Sequence, residues 1–338
     1  MQVEKSILDL CEFLGSDIYY TQGAGGNVSI KNENTLLIKA SGKWLADANK
    51  ENIFTKVDLS SAIEAVDKKM ISGIKAINTS LLKPSIETCV HAILPWKYIV
   101  HIHHLNAIVH LILEDSDKLI KQKLAKFPYK YGIIRYVKPG EKLATEIKAH
   151  LKNNPGNQIL LLQNHGVFFC SDCILELKDQ IKSLDKFLSL DSTQKERIDV
   201  NSKIDFEHIK SLEKDGYFLF PSKLVQSIVR ESRAPSFLKK HWNICPDHIV
   251  FMGPKAFVYS DFETFKKSKA KRADIIFISY LGVFSRETPT LAKIAQLEAY
   301  VEIYYRIKPT DKIQVLNKTE VEEIANWESE KYRLNLSK

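Results

Sequence analysis

The sequence predicts an α/β fold in which short strands alternate with amphipathic helices. Two alternating segments, VSIK and TLLIKAS, flank the turn cluster NEN and indicate a hairpin. Apolar runs of strand length follow at YIVHI and QILLLQN. Helical periodicity marks EKLATEIKAHLKNN and ILELKDQIKSLDKFLSL. Together these three observations predict a sheet that is covered by helices.

Composition places the chain among ordinary globular proteins. Its 338 residues are 44% hydrophobic and 27% charged, which leaves room for one large domain or two smaller ones. No apolar run approaches the roughly 20 residues that span a bilayer, and residues 2–15 predict an amphipathic helix rather than a signal peptide. Five scattered cysteines are typical of reduced thiols. We therefore expect a cytoplasmic protein with no membrane contact.

The net charge of +8 comes from lysines spread along the whole sequence. Because no basic stripe is interleaved with aromatic residues, a solvated surface explains this charge better than a nucleic-acid partner does. A positive field modestly favours an anionic substrate.

The polar segment 191–205 is the natural linker between residues 1–190 and residues 206–338. In the second part, IIFISYLGVFSRE followed by a helix has the layout of LLLQNHGVFFCSD followed by a helix. Residues 247–261 (DHIVFMGPKAFVYSD) predict strand, turn and strand, similar in layout to TLLIKASGKWL. The second part is thus expected to be a partial repeat without metal ligands, since Leu281 stands where the first part has His165. The alternative is a chance similarity between strand–turn–helix units.

Three glycines near the start of the hairpin, at positions 23, 25 and 26, do not fit the dinucleotide-binding pattern G-x-G-x-x-G. Two explanations remain open for them. Backbone amides in such turns, with Asn27, Ser41 and Gly42 beside them, can cradle a phosphate. Alternatively, the glycines serve only to form tight turns.

A metal site is indicated by His101 and His103. Side chains two residues apart on a strand share a face, so these imidazoles can converge, and His165 is the candidate third ligand. Ser85 precedes the predicted helix ETCVHAIL and can cap it, and Glu87 lies in the first turn of that helix. On its own Glu87 is more typical of an acid that stabilises a helix start, and only the nearby histidines favour a functional role.

Five segments in order, GNVSIK, KASGKW, PSIE, HIHHLNA and LLLQNHGVFF, resemble the class II aldolase/adducin family over roughly residues 5–190. Within that family the chain resembles the fuculose and rhamnulose phosphate aldolases. The C-terminal region resembles the additional region of the longer, rhamnulose-phosphate-aldolase-like members.

The resemblance implies a three-layer α/β/α fold around a mainly antiparallel sheet. It also implies a Zn²⁺ site, with Mn²⁺ or Co²⁺ as alternatives, and a homo-oligomer that cleaves a phosphorylated ketose into dihydroxyacetone phosphate and an aldehyde. The matching residues are the metal ligands His101, His103 and His165, the acid/base Glu87, and the phosphate-holding Asn27, Ser41, Gly42 and Ser85. The family's catalytic tyrosine comes from a neighbouring subunit, and the candidates here are Tyr131 and Tyr129.

Other functions are compatible with the same motifs. Epimerases, decarboxylases and dehydratases of the family share the metal core, and Glu87 favours the aldolase, decarboxylase or dehydratase over the epimerase. An adducin-like assembly module is the alternative without chemistry, but adducin-type members lack the metal histidines that this chain keeps.

Overall fold

A seven-stranded sheet lies at the centre of the first half of the chain. The computed structural model describes residues 3–68, 74, 76–77, 82–190, 206–268 and 273–336. The strands of this sheet are β1 (Asn27–Lys31), β2 (Thr35–Lys39), β3 (Phe54–Asp58), β4 (Tyr98–Ile102), β5 (Tyr131–Ile134), β6 (Ile159–Leu162) and β7 (Gly166–Ser171). They are arranged in the order β3-β2-β1-β4-β7-β6-β5, and every neighbouring pair is antiparallel except β5 and β6.

Helices cover both faces of this sheet. They are α1 (Lys5–Gly15), α2 (Leu59–Asp67), α3 (Thr88–Ile93), α4 (Leu105–Leu111), α5 (Ser116–Lys123), α6 (Glu141–Asn153) and α7 (Ile174–Phe187). Alternation along β4 separates the two faces: Val100 and Ile102 pack with side chains of α1 and α7, whereas Ile99 packs with side chains of α3 and α6. The predicted three-layer fold with a mainly antiparallel sheet is confirmed.

The second half contains a smaller sheet of four strands. These strands are β8 (Phe218–Leu219), β9 (Phe257–Tyr259), β10 (Ile275–Ile278) and β11 (Gly282–Ser285), arranged in the order β8-β11-β10-β9. The helices around them are α8 (Phe206–Lys214), α9 (Lys223–Ser227), α10 (Ala234–Lys240), α11 (Pro246–Met252), α12 (Phe262–Lys267), α13 (Leu291–Arg306), α14 (Lys318–Ala325) and α15 (Glu328–Leu336). Among the helices described, none is both long enough and apolar enough to cross a bilayer.

The two halves share a hydrophobic core. Leu105 and Ile108 of α4, with Ile112 just after it, are buried in the same cluster as Leu297 and Tyr300 of α13. Burying such side chains stabilises the contact between the halves, at about 25 cal/mol for each Å² of apolar surface removed from water. The predicted linker, residues 191–205, lies outside the described residues. The division into 1–190 and 206–338 therefore stays a prediction.

The expected repeat is visible in the strand–turn–strand units. β9 and β10 are parallel and β10 and β11 antiparallel, the same arrangement as β5, β6 and β7. The turns also match: Asn164 and Tyr280 occupy equivalent positions and both have positive φ, 53° and 62°. In each turn the next backbone N–H, that of His165 or Leu281, donates to the carbonyl three residues earlier. The units thus share strand order and turn conformation.

One sequence prediction in the second half is wrong. Residues 247–252 were expected to form a strand because His-Ile-Val-Phe-Met is apolar and partly β-branched, but they lie in α11. Pro246 is at the first helical position, Asp247 is in the first turn, and Gly253 follows the last turn with a φ of 80°. These are standard signals for a helix start and a helix end, and they outweigh the local β propensity.

Candidate active site

Three histidines converge at one end of the large sheet. His101 is in β4, His103 follows the end of that strand, and His165 is in the turn between β6 and β7. Because β4 pairs with β7, this turn lies beside the end of β4. One ring nitrogen from each histidine can be chosen so that all three lie within 4.8 Å of one another. The predicted ligand set is therefore brought together in a buried cluster.

Gly166 allows this close approach. A Cβ atom built at this position would lie 2.4 Å from the carbonyl oxygen of Ile102, closer than side chains pack, and 3.2 Å from Cε1 of His101. The residue after His165 must therefore be glycine for the turn to lie against β4.

Glu87 completes the cluster. Its Oε2 lies 3.4 Å from Nε2 of His101, and its Oε1 lies 3.6 Å from Nε2 of His165. Glu87 immediately precedes α3, but its side chain makes no capping hydrogen bond to that helix. The alternative role as a helix-stabilising acid therefore does not describe its contacts.

The prediction that Ser85 caps α3 is wrong in detail. The cap position is Glu87, and the first helical residue is Thr88. Ser85 instead forms a turn before the helix: its hydroxyl accepts from the backbone N–H of Glu87 at 3.3 Å, and its carbonyl accepts from the hydroxyl of Thr88 at 2.6 Å. This turn directs the carboxylate of Glu87 towards the histidines.

A series of hydrogen bonds that starts at β1 holds Glu87 in place. Nδ2 of Asn27 donates to Oε2 of Glu87 at 2.8 Å and to the hydroxyl of Ser85 at 3.2 Å. The amide oxygen of Asn27 in turn bonds to Nε2 of His91, whose Nδ1 bonds to the hydroxyl of Ser29 at 2.7 Å. His91 is thus buried and hydrogen-bonded at both ring nitrogens.

Burial shifts the protonation of the cluster. It lowers the pKa of His101 to about 3 and that of His165 to about 4, and it lowers the pKa of His103 well below its usual value. Burial raises the pKa of Glu87, although His165 and Asn27 act in the opposite direction. Neutral imidazoles are the form in which histidine binds metals.

The donor set fits a zinc-type ion. Nδ1 of His101 donates to the carbonyl of Val167 at 3.1 Å, which leaves Nε2 with its lone pair. Both that Nε2 and Oε1 of Glu87 are buried and have no hydrogen-bond partner among the residues described. Buried polar atoms nearly always have a hydrogen-bond partner. A cation bound beside these two acceptors and the two other imidazoles explains why they have none.

The predicted phosphate-holding residues lie next to the histidines. Asn27, Ser41, Gly42 and Ser85 line one cavity together with Glu87, His103 and His165. Buried Lys39 also lines it, donating to the carbonyls of Ala24 and Lys43 at 3.0 and 2.6 Å. Burial lowers the pKa of Lys39 to about 7.

The C-terminal half adds charged residues that sequence reasoning missed. Asp247, Glu330 and Arg333 line the same cavity. Arg333 forms an ion pair with Asp247, and its Nε lies 2.8 Å from Oε2 of Glu330. Only one sequence signal could have pointed to Asp247, namely its position directly after a proline that starts a helix. The tail segment ESEKYRLNL is mostly polar and resembles a solvated helix.

α15 covers the turn at Ser41 and Gly42. A Cβ atom built on Gly42, whose φ is 78°, would lie 2.6 Å from Cδ1 of Leu336. The free space left in the cavity is about 20 Å³, which is room for about one water molecule. A sugar phosphate does not fit beside α15 in this arrangement.

The structure does not bring the candidate tyrosines to this cavity. The ring of Tyr131 lies against Phe127, with 6.2 Å between the ring centroids. The hydroxyl of Tyr129 donates to Asp179 at 2.6 Å. A role for either tyrosine in this site therefore requires a second copy of the chain.

Comparison with known proteins identifies relatives of the first half. A family model described as "Class II Aldolase and Adducin N-terminal domain" matches residues 5–190. The uncharacterized oxidoreductase YuxG of Bacillus subtilis (strain 168) is 28% identical over 185 residues, which are 49% of this chain and 26% of that protein. The chain thus matches only about a quarter of the length of YuxG.

Two further relatives carry specific names. An L-fuculose phosphate aldolase of Methanococcus maripaludis is 24% identical over 191 residues, 55% of this chain and 93% of the relative. A 3-oxo-tetronate 4-phosphate decarboxylase of Escherichia coli (strain K12) is 25% identical over 203 residues, 56% of this chain and 87% of the relative. Since the family model covers more than half of the 338 residues, from 5 to 190, the chain belongs to the class II aldolase and adducin family.

Proposed function

We propose that this chain is a metal-dependent carbon–carbon lyase that cleaves a phosphorylated ketose into dihydroxyacetone phosphate and an aldehyde. The observation that carries the proposal is the buried cluster of three neutral histidines with Glu87 beside it. In the proposal His101, His103 and His165 hold one Zn²⁺, for which Mn²⁺ or Co²⁺ can substitute. When bound, the ion supplies Lewis-acid stabilisation of negative charge on the substrate oxygens.

Glu87 carries the proton in this reaction. The bond between the carbons α and β to the ketone breaks, and its electron pair stays on the α carbon as an enediolate. A proton must then reach that carbon. Burial raises the pKa of Glu87, which favours the protonated carboxyl group that can deliver this proton. Asn27 fixes one carboxyl oxygen, Oε2, and leaves Oε1 to exchange the proton.

The remaining groups bind and orient the substrate. In the proposal the turn at Ser41 and Gly42, with Asn27 and Ser85, donates hydrogen bonds to the phosphate. The β-hydroxyl must also lose a proton, and we assign this step to Tyr131 of a second copy, in a homo-oligomer. The ring of Tyr131 lies against Phe127 in its own chain, which is why the assignment needs a second copy.

A decarboxylase is the second candidate, because a relative with that name aligns over 56% of the chain. Loss of carbon dioxide from a 3-oxo acid also leaves an electron pair next to a carbonyl, so the histidines and Glu87 would have the same tasks. An adducin-like module is the third, and it requires no metal.

Product analysis tests the proposal. The purified full-length chain with zinc is incubated with a panel of pentulose and hexulose 1-phosphates and 3-oxo acid phosphates, and products are identified by NMR. We expect dihydroxyacetone phosphate and an aldehyde in equal amounts. Carbon dioxide release, water loss or an epimer without an aldehyde would refute the aldolase assignment.

A further inference from the structure

Asp247 places a carboxylate from the C-terminal half against one of the three histidines. It lies in the first turn of α11, is 5% exposed, and its Oδ2 is 3.4 Å from Nδ1 of His103. Asp247 also lies outside residues 5–190, the part of the chain that the family model matches. Nothing in that first half supplies an oxygen to this nitrogen among the hydrogen bonds of the described residues.

Two other helices hold this carboxylate in place. Arg333 of α15 donates to Oδ1 of Asp247, and Gln296 of α13 donates to Oδ2 at 3.1 Å. An ion pair with Arg333 and a hydrogen bond from Gln296 therefore fix the carboxylate of Asp247 where it faces His103.

The neighbouring histidine shows what such an acceptor does. Nδ1 of His101 donates to the carbonyl of Val167 at 3.1 Å, so the lone pair of that ring is on Nε2. Histidines that bind metals commonly donate their other ring N–H to a carboxylate or carbonyl oxygen, which fixes the tautomer and the ring orientation and raises the basicity of the ligand. For His103 the oxygen in the corresponding place belongs to Asp247.

We infer that Asp247 is a positioning residue for His103: it keeps the ring proton on Nδ1, so that the lone pair of Nε2 is available to a metal ion. This inference rests on the proposed metal site. It makes the C-terminal half part of that site, because α11 supplies the carboxylate while α13 and α15 hold it.

The first test measures metal affinity. Zinc dissociation constants of the full-length chain are determined by competition with a chromophoric chelator for wild type, Asp247→Asn and Glu302→Gln. Glu302 is a matched control because it is also a buried acid of the second half paired with an arginine, Arg306, at 2.5 Å. We expect Asp247→Asn to weaken zinc binding by roughly 10- to 100-fold, the usual effect of removing such a partner, and the control to bind like wild type.

The outcomes separate this inference from the proposed function. If wild type binds zinc tightly and Asp247→Asn binds it equally well, the inference is overturned and the metal site stands. If wild type binds no zinc, both are overturned. The absorption spectrum of the Co²⁺-loaded proteins adds a readout that a merely structural role would not change, since we expect Asp247→Asn alone to alter the ligand-field bands.

The second test requires no metal ion. Long-range ¹H–¹⁵N spectra of the metal-free wild-type protein report which ring nitrogen of each histidine carries the proton, with the His103 signals assigned by their absence from His103→Gln. We expect the proton of His103 on Nδ1. A proton on Nε2 would overturn the inference.

Discussion

Nδ2 of Asn27 donates a hydrogen bond to Oε2 of Glu87 at 2.8 Å, and this bond connects the first strand of the sheet to the residue before α3. Through it the central β1–β4 pair positions both the histidines and the acid. The same amide group is fixed by His91 on its other side. The proton carrier of the proposed reaction is therefore held by Asn27, which lies opposite His101 in the β1–β4 pair.

Replacing Glu87 separates proton transfer from metal binding. We expect Glu87→Gln to retain metal, since three imidazoles remain, and to lower kcat by about 10²- to 10⁴-fold, the usual contribution of a general acid–base group. Metal analysis and initial rates check this. Glu146→Gln, an exposed acid on α6, is the control. Undiminished turnover in Glu87→Gln would show that this carboxyl does not carry the proton.

Asn27→Ala removes the link between Glu87 and His91. It leaves two buried polar groups without their partner, and each such loss costs about 1–3 kcal/mol. We therefore expect a clear drop in the free energy of unfolding, measured by urea denaturation, together with slower turnover. Asn153→Ala, at the exposed end of α6, should change stability by less than about 0.5 kcal/mol. Equal stability of the two variants would mean that the chain of hydrogen bonds is not important.

Substrate binding should displace α15. The cavity beside Leu336 and Arg333 leaves about 20 Å³, far less than the roughly 300 Å³ at the small end of ligand sites. We expect amide hydrogen exchange in residues 328–336 to accelerate when dihydroxyacetone phosphate is added at saturating concentration. Leu336→Ala, which removes the contact with Gly42, should lower KM. Slower exchange in α15 on binding would contradict this prediction.

His110 makes stability depend on pH. Burial lowers its pKa from 6.5 to about 4, and its Nε2 bonds to the carbonyl of Leu188 at 3.2 Å. Because the folded-state pKa is the lower one, the unfolded chain binds more protons between pH 6.5 and 4. Neutral His110 thus contributes fully to the free energy of unfolding above pH 6.5, and this contribution is lost as the pH falls through 4.

His110→Gln cannot take up that proton. The stability difference between wild type and this variant should therefore shrink by roughly 3 kcal/mol between pH 8 and pH 4. Urea denaturation at both values checks it. A difference that stays constant with pH would show that His110 is not protonated on unfolding.

The first half of the fold and its site could be predicted because the signals there are local. The spacing of His101 and His103 on a strand, the strand before His165, and the position of Glu87 before a helix are all visible in the sequence. What was missed depends on tertiary packing. Glu330 and Arg333 lie on a short polar helix whose burial no periodicity indicates. Residues 247–252 form a helix and not the predicted strand, because Pro246 and Gly253 outweigh the β propensity of the residues between them.

The repeat explains why the second half could be predicted only in part. The unit β10–β11–α13 keeps the turn of β6–β7–α7, down to the positive φ of Tyr280 at the position of Asn164. The strands and the helix of this unit could therefore be predicted from its sequence pattern. The contribution of α11 and α15 to the cavity has no counterpart in that pattern, and only the packing of the two halves reveals it.

Metal content of the purified protein tests the central claim most directly. Zinc is measured by plasma emission spectrometry after zinc loading and desalting, for wild type beside His103→Ala, with circular dichroism to show that both are folded. The account predicts about one zinc per chain in wild type, as a site with three histidines implies, and its loss in the variant. Folded wild-type protein without zinc would contradict it and would favour the assembly module.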